Sequence, residues 1–145
     1  MLLRDILERK GPRVISVQPG TTILEAVRVM VENKVGAVLV VNEKNQPLGI
    51  FTERDNLRAT LNEGIAPAVT TVDEFMTRDL VCGFPTASVE EAMAVMTEQR
   101  VRHLPVVAEG LLVGLVSIGD VVKATAEHRE AEIHYLKNYI SGTGY

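Results

Sequence analysis

Apolar positions along this chain switch between two periods, and the switching itself occurs twice. Ile23, Ala26, Val27, Met30 and Val31 fall at spacings of three and four residues, which predicts a helix with one buried face. Val89, Ala92, Met93 and Met96 do the same further along. Thr21 or Thr22, and Ser88, stand where N-caps belong, and Glu25 and Glu91 lie three residues after Thr22 and Ser88, completing capping boxes. Each helical pattern follows a short apolar segment, residues 14–17 or 80–82, closed by Pro19 or Pro85. Proline has no amide to give to a ladder, so it ends a strand naturally. Each helix is followed by two β-rich runs, 37–41 with 48–51 and 104–107 with 111–116, which read as hairpins. A second helix then starts at Thr52 or Ser117. The unit is β-α-β-β-α, its first helix a right-handed crossover between parallel strands.

The duplication is clearest at residues 47–58, PLGIFTERDNLR, and 112–123, LVGLVSIGDVVK. Gly49, Thr52 and Asp55 in the first run match Gly114, Ser117 and Asp120 in the second. Further back, Pro19 matches Pro85, Met30 matches Met96 and Val40 matches Val106, an offset of 66 that drops to 65 at the glycine. A lost residue is cheap in a hairpin loop and costly in a strand, which places turns at 42–46 and 108–110. The lead-in is echoed too, with Leu3, Ile6 and Leu7 matching Val72, Phe75 and Met76 at offset 69. The predicted organisation is a first repeat with a short N-terminal helix (1–60), an ordered linker (61–70) with Gly64 and Pro67 as breakers, a second repeat (71–125) and a C-terminal helical extension (126–145). The last helix runs from Ser117 to about Ile140. Its stripe of Ile133, Leu136 and Ile140, with Tyr135 and Tyr139 beside it, predicts packing on the N-terminal helix or on a partner chain. A sheet with both helices on one face leaves its other face uncovered, so two copies are expected to bury those faces against each other.

Composition narrows the function classes. The 145 residues suit one compact domain, and 46% hydrophobic content with three Phe, three Tyr and no Trp means an aliphatic core. No apolar run approaches membrane-spanning length, and the N-terminus lacks the apolar stretch of a secretion signal. One Cys forms no internal disulfide and fits a reducing cytoplasm. A net charge of −4 argues against nucleic acid as a partner. Catalysis has no visible machinery: Cys82 and His103 are the obvious pair, without an acid to orient the imidazole. His128 and His134 sit six residues apart, on different helix faces, and make a poor metal set.

The series from an apolar strand through P-x-x-x-[IV]-x-x-A, then VLVV or HLPVV, to G-h-h-[ST]-x-x-D resembles the CBS domain. Two in tandem are similar to the regulatory module of inosine monophosphate dehydrogenase. The resemblance spans about residues 12–125 and leaves no room for an enzyme domain. It implies an α/β fold of two pseudo-symmetric repeats that commonly dimerises. It also implies clefts for an adenine-containing ligand, of the AMP, ADP or ATP class or else NAD(H) or S-adenosylmethionine. The expected task is regulation of an unidentified partner protein. A ligand-free oligomerisation or adaptor module is the alternative.

That resemblance gives the repeated motif a second meaning. As a local signal, Thr52–Asp55 and Ser117–Asp120 are capped helix starts. As a ligand site, an ionised carboxylate is acceptor-only and takes both vicinal hydroxyls of a ribose, with the Thr or Ser hydroxyl and the free helix amides beside it. On this reading Asp55→Ala or Asp120→Ala weakens nucleotide binding with little effect on the fold. The copies differ where phosphate is expected. Arg54 stands against Gly119, and Arg102–His103 against Gly36–Ala37. In the family the latter position often supplies basic groups to phosphate, which implies that role for Arg102 and His103. The reading is one stronger site facing Arg54, Arg102 and His103 and one weaker, with Gly36–Ala37 leaving room for a base. Ile15, Val17, Val81, Leu104 and Pro105 are candidate adenine walls.

Overall fold

A computed structural model describes residues 1–11 and 13–141 of the chain, with side chains beyond residue 130 described only at 133, 134 and 137. Repeat 1 holds strand β1 (Ser16–Val17), helix α2 (Ile23–Asn33), strands β2 (Ala37–Val41) and β3 (Pro47–Thr52) and helix α3 (Glu53–Thr60), preceded by helix α1 (Leu3–Lys10). Repeat 2 holds helix α4 (Val89–Gln99), strands β4 (His103–Ala108) and β5 (Leu111–Ser117) and the long helix α5 (Ile118–Ser141). β1 pairs parallel with β2, and β2 antiparallel with β3; β4 and β5 form the matching hairpin. The loops fall where the offset changes. Asn45, Glu109 and Gly110 take positive φ there, the turn geometry that lets a strand double back.

Two expectations need correcting. Residues 80–82 form no strand; the parallel contact shrinks to one bridge, Gly83 to Val106. The cause is Pro105. In repeat 1 the Leu39 amide donates to the Ile15 carbonyl, and the proline at the matching position has no amide to do so. Glu25 does not close a capping box: Thr22 accepts from its amide, while its carboxylate pairs with Arg28. Ser88 and Glu91 form the complete box.

The lead-ins cross over. Leu3 and Ile6 lie in the core of repeat 2, with Val89, Ala92, Met96, Leu104 and Val121. Val72 and Met76, after the linker, lie in the core of repeat 1, with Ile23, Ala26, Met30, Val38 and Phe51. The backbone is tied symmetrically: the Leu3 amide donates to Ala87 and that of Val72 to Thr21, both at 2.9 Å. This crossing explains the repeated glycine. A Cβ on Gly49 would sit 2.7 Å from Met76 Sδ and 3.0 Å from the Thr77 carbonyl oxygen. One on Gly114 would sit 2.5 Å from Leu7 Cδ2. The glycines admit the other repeat's lead-in.

A third apolar cluster joins the repeats face to face: Ala37, Leu39, Val41 and Ile50 from the first sheet meet Leu112 and Leu115 from the second. The linker is ordered, as expected, with the Leu24 amide bonded to the Pro67 carbonyl. Helix α5 packs on α4, and near its middle on α1, where Arg9 pairs with Glu127 at 2.9 Å. Of the predicted stripe, Ile133 is 51% exposed and the side chains of Tyr135, Leu136, Tyr139 and Ile140 lie outside the described residues.

Candidate functional site

The two motif carboxylates are built alike and finish differently. Each follows an N-cap whose hydroxyl accepts from the carboxylate residue's amide: Thr52 for Asp55 at 3.2 Å, Ser117 for Asp120 at 3.1 Å. Each carboxylate reaches back to the cap amide at 2.9 Å, through Oδ2. These are reciprocal boxes that fix the start of α3 and α5. Asp55 then spends its remaining capacity internally. The Thr52 hydroxyl donates to Oδ2 at 3.1 Å, and Arg58 and the Thr77 hydroxyl to Oδ1. Its exposure is 1%.

Asp120 stays near the surface, its side chain 26% exposed. Its Oδ2 accepts from Lys10 Nζ at 2.8 Å, and among the described residues nothing donates to Oδ1. Lys10 is the last residue of the crossed helix α1 and also donates to the Leu115 carbonyl at 2.8 Å. Burial raises the Asp120 pKa, but the Lys10 ammonium and the Ser117 amide outweigh it, leaving the carboxyl below its ordinary value.

His103 opens β4 opposite Ser117 and is half-buried. Burial, then the positive charges of Lys10 and Arg102, lower its pKa, against an opposing pull from Asp120 and Glu53. His103 therefore shares one field with Lys10, Arg102, Asp120 and Glu53. A lowered imidazole pKa means the fold prefers neutral His103. Its contribution to stability is present above the unfolded value near 6.5 and is lost as pH falls through the folded one. Asp120 contributes in the same direction, below about 3.8. Melting temperatures between pH 7.5 and 5 should fall, and His103→Gln should flatten that decline.

The remaining candidates divide. Arg102 is exposed, and its carbonyl accepts from the Ile118 amide, as Gly36 accepts from Glu53. Arg54 is exposed on α3 and is not among the charges acting on His103. Over Gly36 lies the exposed Glu53 side chain, whose carboxylate a Cβ there would meet at an ordinary contact distance of 3.4 Å, and Ala37 is buried. Val17 and Leu104 point into the two repeat cores, Pro105 is buried, and Ile15 and Val81 are half-buried at the edges of those cores.

Beside Asp120 a cleft of about 260 Å³ opens between α1 and α5, carrying Arg9, Lys10, Lys123 and Glu127 around a floor of Ile6 and Ala124. These residues are absent from the sequence-derived set. Lys123 is visible in the motif as the match of Arg58, but Arg9 and Lys10 belong to the cleft only because the lead-ins cross. Cys82 is exposed as a residue on the 80–83 segment, but partial desolvation of its thiol raises the pKa, so it is not an activated thiolate.

Comparison with known proteins agrees with the two-repeat architecture. The family model described as CBS domain matches twice, over residues 3–61 and 72–127. The chain is 43% identical to the mitochondrial CBS domain-containing protein CBSX3 of Arabidopsis thaliana, over 97% of this chain and 72% of that protein. It is 38% identical to the CBS domain-containing protein YhcV of Bacillus subtilis, over 82% of this chain and 84% of that one. Among solved structures, the CBS-domain protein ATU1752 of Agrobacterium tumefaciens superposes with a TM-score of 0.80 at 40% identity, covering 86% of this chain and 99% of that one. The protein PAE2072 of Pyrobaculum aerophilum, solved in complex with AMP, superposes at 0.74 with 26% identity, covering 83% and 89%. With its two matched repeats and crossed lead-ins, the chain belongs to the CBS-domain family, as a tandem pair.

Proposed function

We propose that this CBS pair is a non-catalytic regulatory protein that binds an adenine nucleotide of the AMP, ADP or ATP class at Asp120. One observation carries the reading. Asp120 is a partly exposed carboxylate with an acceptor oxygen to spare, held at a helix start against Lys10, with His103 opposite its cap residue Ser117 across the β4–β5 pair. Oδ1 takes a ribose hydroxyl, the second hydroxyl competes with Lys10 for Oδ2, and the Ser117 hydroxyl lies alongside. The cations serve the phosphate with the Gly119 amide, since the Ile118 and Asp120 amides are bound to the Arg102 carbonyl and the Ser117 hydroxyl. Ile15 and Val81, half-buried, are the remaining apolar surfaces for a base. The AMP complex of PAE2072 supports the ligand class.

Asp55 and Thr52 define the weaker cleft. Its carboxylate is enclosed, and Gly36, Ala37 and Asp79 stand where the other cleft has Arg102, His103 and Lys10. Arg54 is the cation left to it. The protein works as a homodimer in a reducing cytoplasm and passes ligand status to a protein partner. The exposed Leu24 and Val31 of α2 and Leu57 of α3, with Leu61 beyond it, support a dimer contact. That same apolar surface favours the second reading, an adaptor without a ligand.

Thermal unfolding with each candidate ligand separates the two. A ligand that binds only the native state adds about 2.7 kcal/mol at a hundredfold excess over its dissociation constant. AMP, ADP or ATP should raise the melting temperature. A shift with NAD(H) or S-adenosylmethionine alone would move the ligand class, and no shift with any of the five would leave the adaptor.

A further inference from the structure

Resting on the adenine-nucleotide reading, we propose that Lys10 makes the Asp120 cleft selective for phosphorylated over unphosphorylated adenosine. Lys10 closes α1, a helix anchored at its other end by the fully buried Leu3. Its position is therefore fixed by the core of repeat 2 while its ammonium stays accessible. Two of the three ammonium donors are engaged, by the Leu115 carbonyl and Asp120 Oδ2. The third is available without breaking either contact.

The cleft offers few rivals for that task. Arg9 is held by Glu127 at 2.9 Å, so its charge is already matched. Lys123 lines the cleft farther along α5. Lys10 alone among these cations touches the proposed sugar-binding carboxylate, which puts it within one side-chain length of a 5′-substituent. Repeat 1 has no counterpart: the matching position is Asp79, and Arg58 is spent on Asp55.

The consequence is an exchange of partners. In the free protein, the Asp120 carboxylate and the Lys10 ammonium neutralise each other. Ribose hydroxyls compete for Oδ2 and weaken that pairing, leaving the ammonium short of an anion. A phosphate on the same ligand restores one, because a compact ammonium on a flexible stem turns readily between neighbouring acceptors. An unphosphorylated nucleoside disturbs the ion pair and gives nothing back. The same cation thus penalises the nucleoside and rewards the nucleotide.

Calorimetric titration of the full chain with AMP and with adenosine tests this in wild type, Lys10→Met and Lys10→Arg. Wild type should prefer AMP by about tenfold or more, the size expected of one charge-assisted contact. Lys10→Met should lose most of that preference, with adenosine binding held or improved, and Lys10→Arg should restore part of it. Melting curves of the three proteins monitor the fold. An undiminished AMP preference in Lys10→Met overturns the role of Lys10 and leaves the adenine reading standing. Equal loss of both ligands, with a lower melting temperature, makes Lys10 structural and also overturns it. Absence of binding by either ligand to wild type removes this inference, and if ADP and ATP fail to bind as well it removes the adenine reading with it.

Discussion

Leu3→Ala is expected to lower the free energy of unfolding by about 2–5 kcal/mol, the range for truncating a large aliphatic side chain in a core. A segment outside the strands and helices of its own repeat would ordinarily tolerate such a change. Here Leu3 is 0% exposed and sits among Val89, Ala92, Met96 and Leu104 of the second repeat. Its amide is bonded to Ala87, and a Cβ on Gly83 would touch its side chain at 2.9 Å. The site cannot collapse easily, because α1 is also held by Ile6 and by the Arg9 and Lys10 ion pairs. Urea unfolding measures the loss, and a change below about 1 kcal/mol would contradict the crossed packing.

Asp120→Ala should weaken AMP binding by at least about tenfold, the loss of a carboxylate that accepts from a ligand hydroxyl. Its cost to stability should be near that of a lost helix cap, about 1 kcal/mol. Asp55→Ala should behave in reverse. It takes the acceptor from the half-buried Thr52 amide and hydroxyl, at about 1–3 kcal/mol, while the exposed Thr77 hydroxyl turns to water. AMP binding should change little, as the same calorimetric titration would read. The repeated motif alone predicts equal, fold-neutral effects at the two positions. Matching losses of affinity in both variants would mean that the enclosure of Asp55 opens in solution and the clefts are equivalent.

This contrast shows where sequence reasoning reaches its end. The helices, hairpins, caps and turns follow from periodicity and from a one-residue change of offset, all of which are local properties. The duplication adds the expectation of a closed pair, and the inter-sheet cluster of Leu39, Ile50, Leu112 and Leu115 is that closure. The missing strand at 80–82 was legible, since Pro105 stands in the HLPVV run and has no amide for a parallel neighbour. By contrast, the echo of Leu3, Ile6 and Leu7 in Val72, Phe75 and Met76 reveals equivalence and says nothing of which core each segment enters. Only the close approach at Gly49 and Gly114 registers the crossing, and a glycine in a strand equally marks a bulge or a tight bend.

The candidate site inherits that division. Asp55, Asp120 and their caps are one motif read twice, and they are built as expected. Their different enclosure depends on what the crossed segments bring. Lys10 reaches Asp120 from a helix, while the segment after Met76 brings the Thr77 hydroxyl to Asp55 and pairs its backbone with Ile50. Lys10 is 110 residues from Asp120 in sequence, and no periodicity links them. The contrast between Arg102–His103 and Gly36–Ala37 pointed to unequal clefts, but not to the Glu53 carboxylate standing beside Gly36.

Calorimetric titration of the wild-type chain with AMP tests that inequality most directly. It should resolve one strong site per chain, with any second site substantially weaker. Two sites of equal affinity would contradict the account, and so would no binding at all.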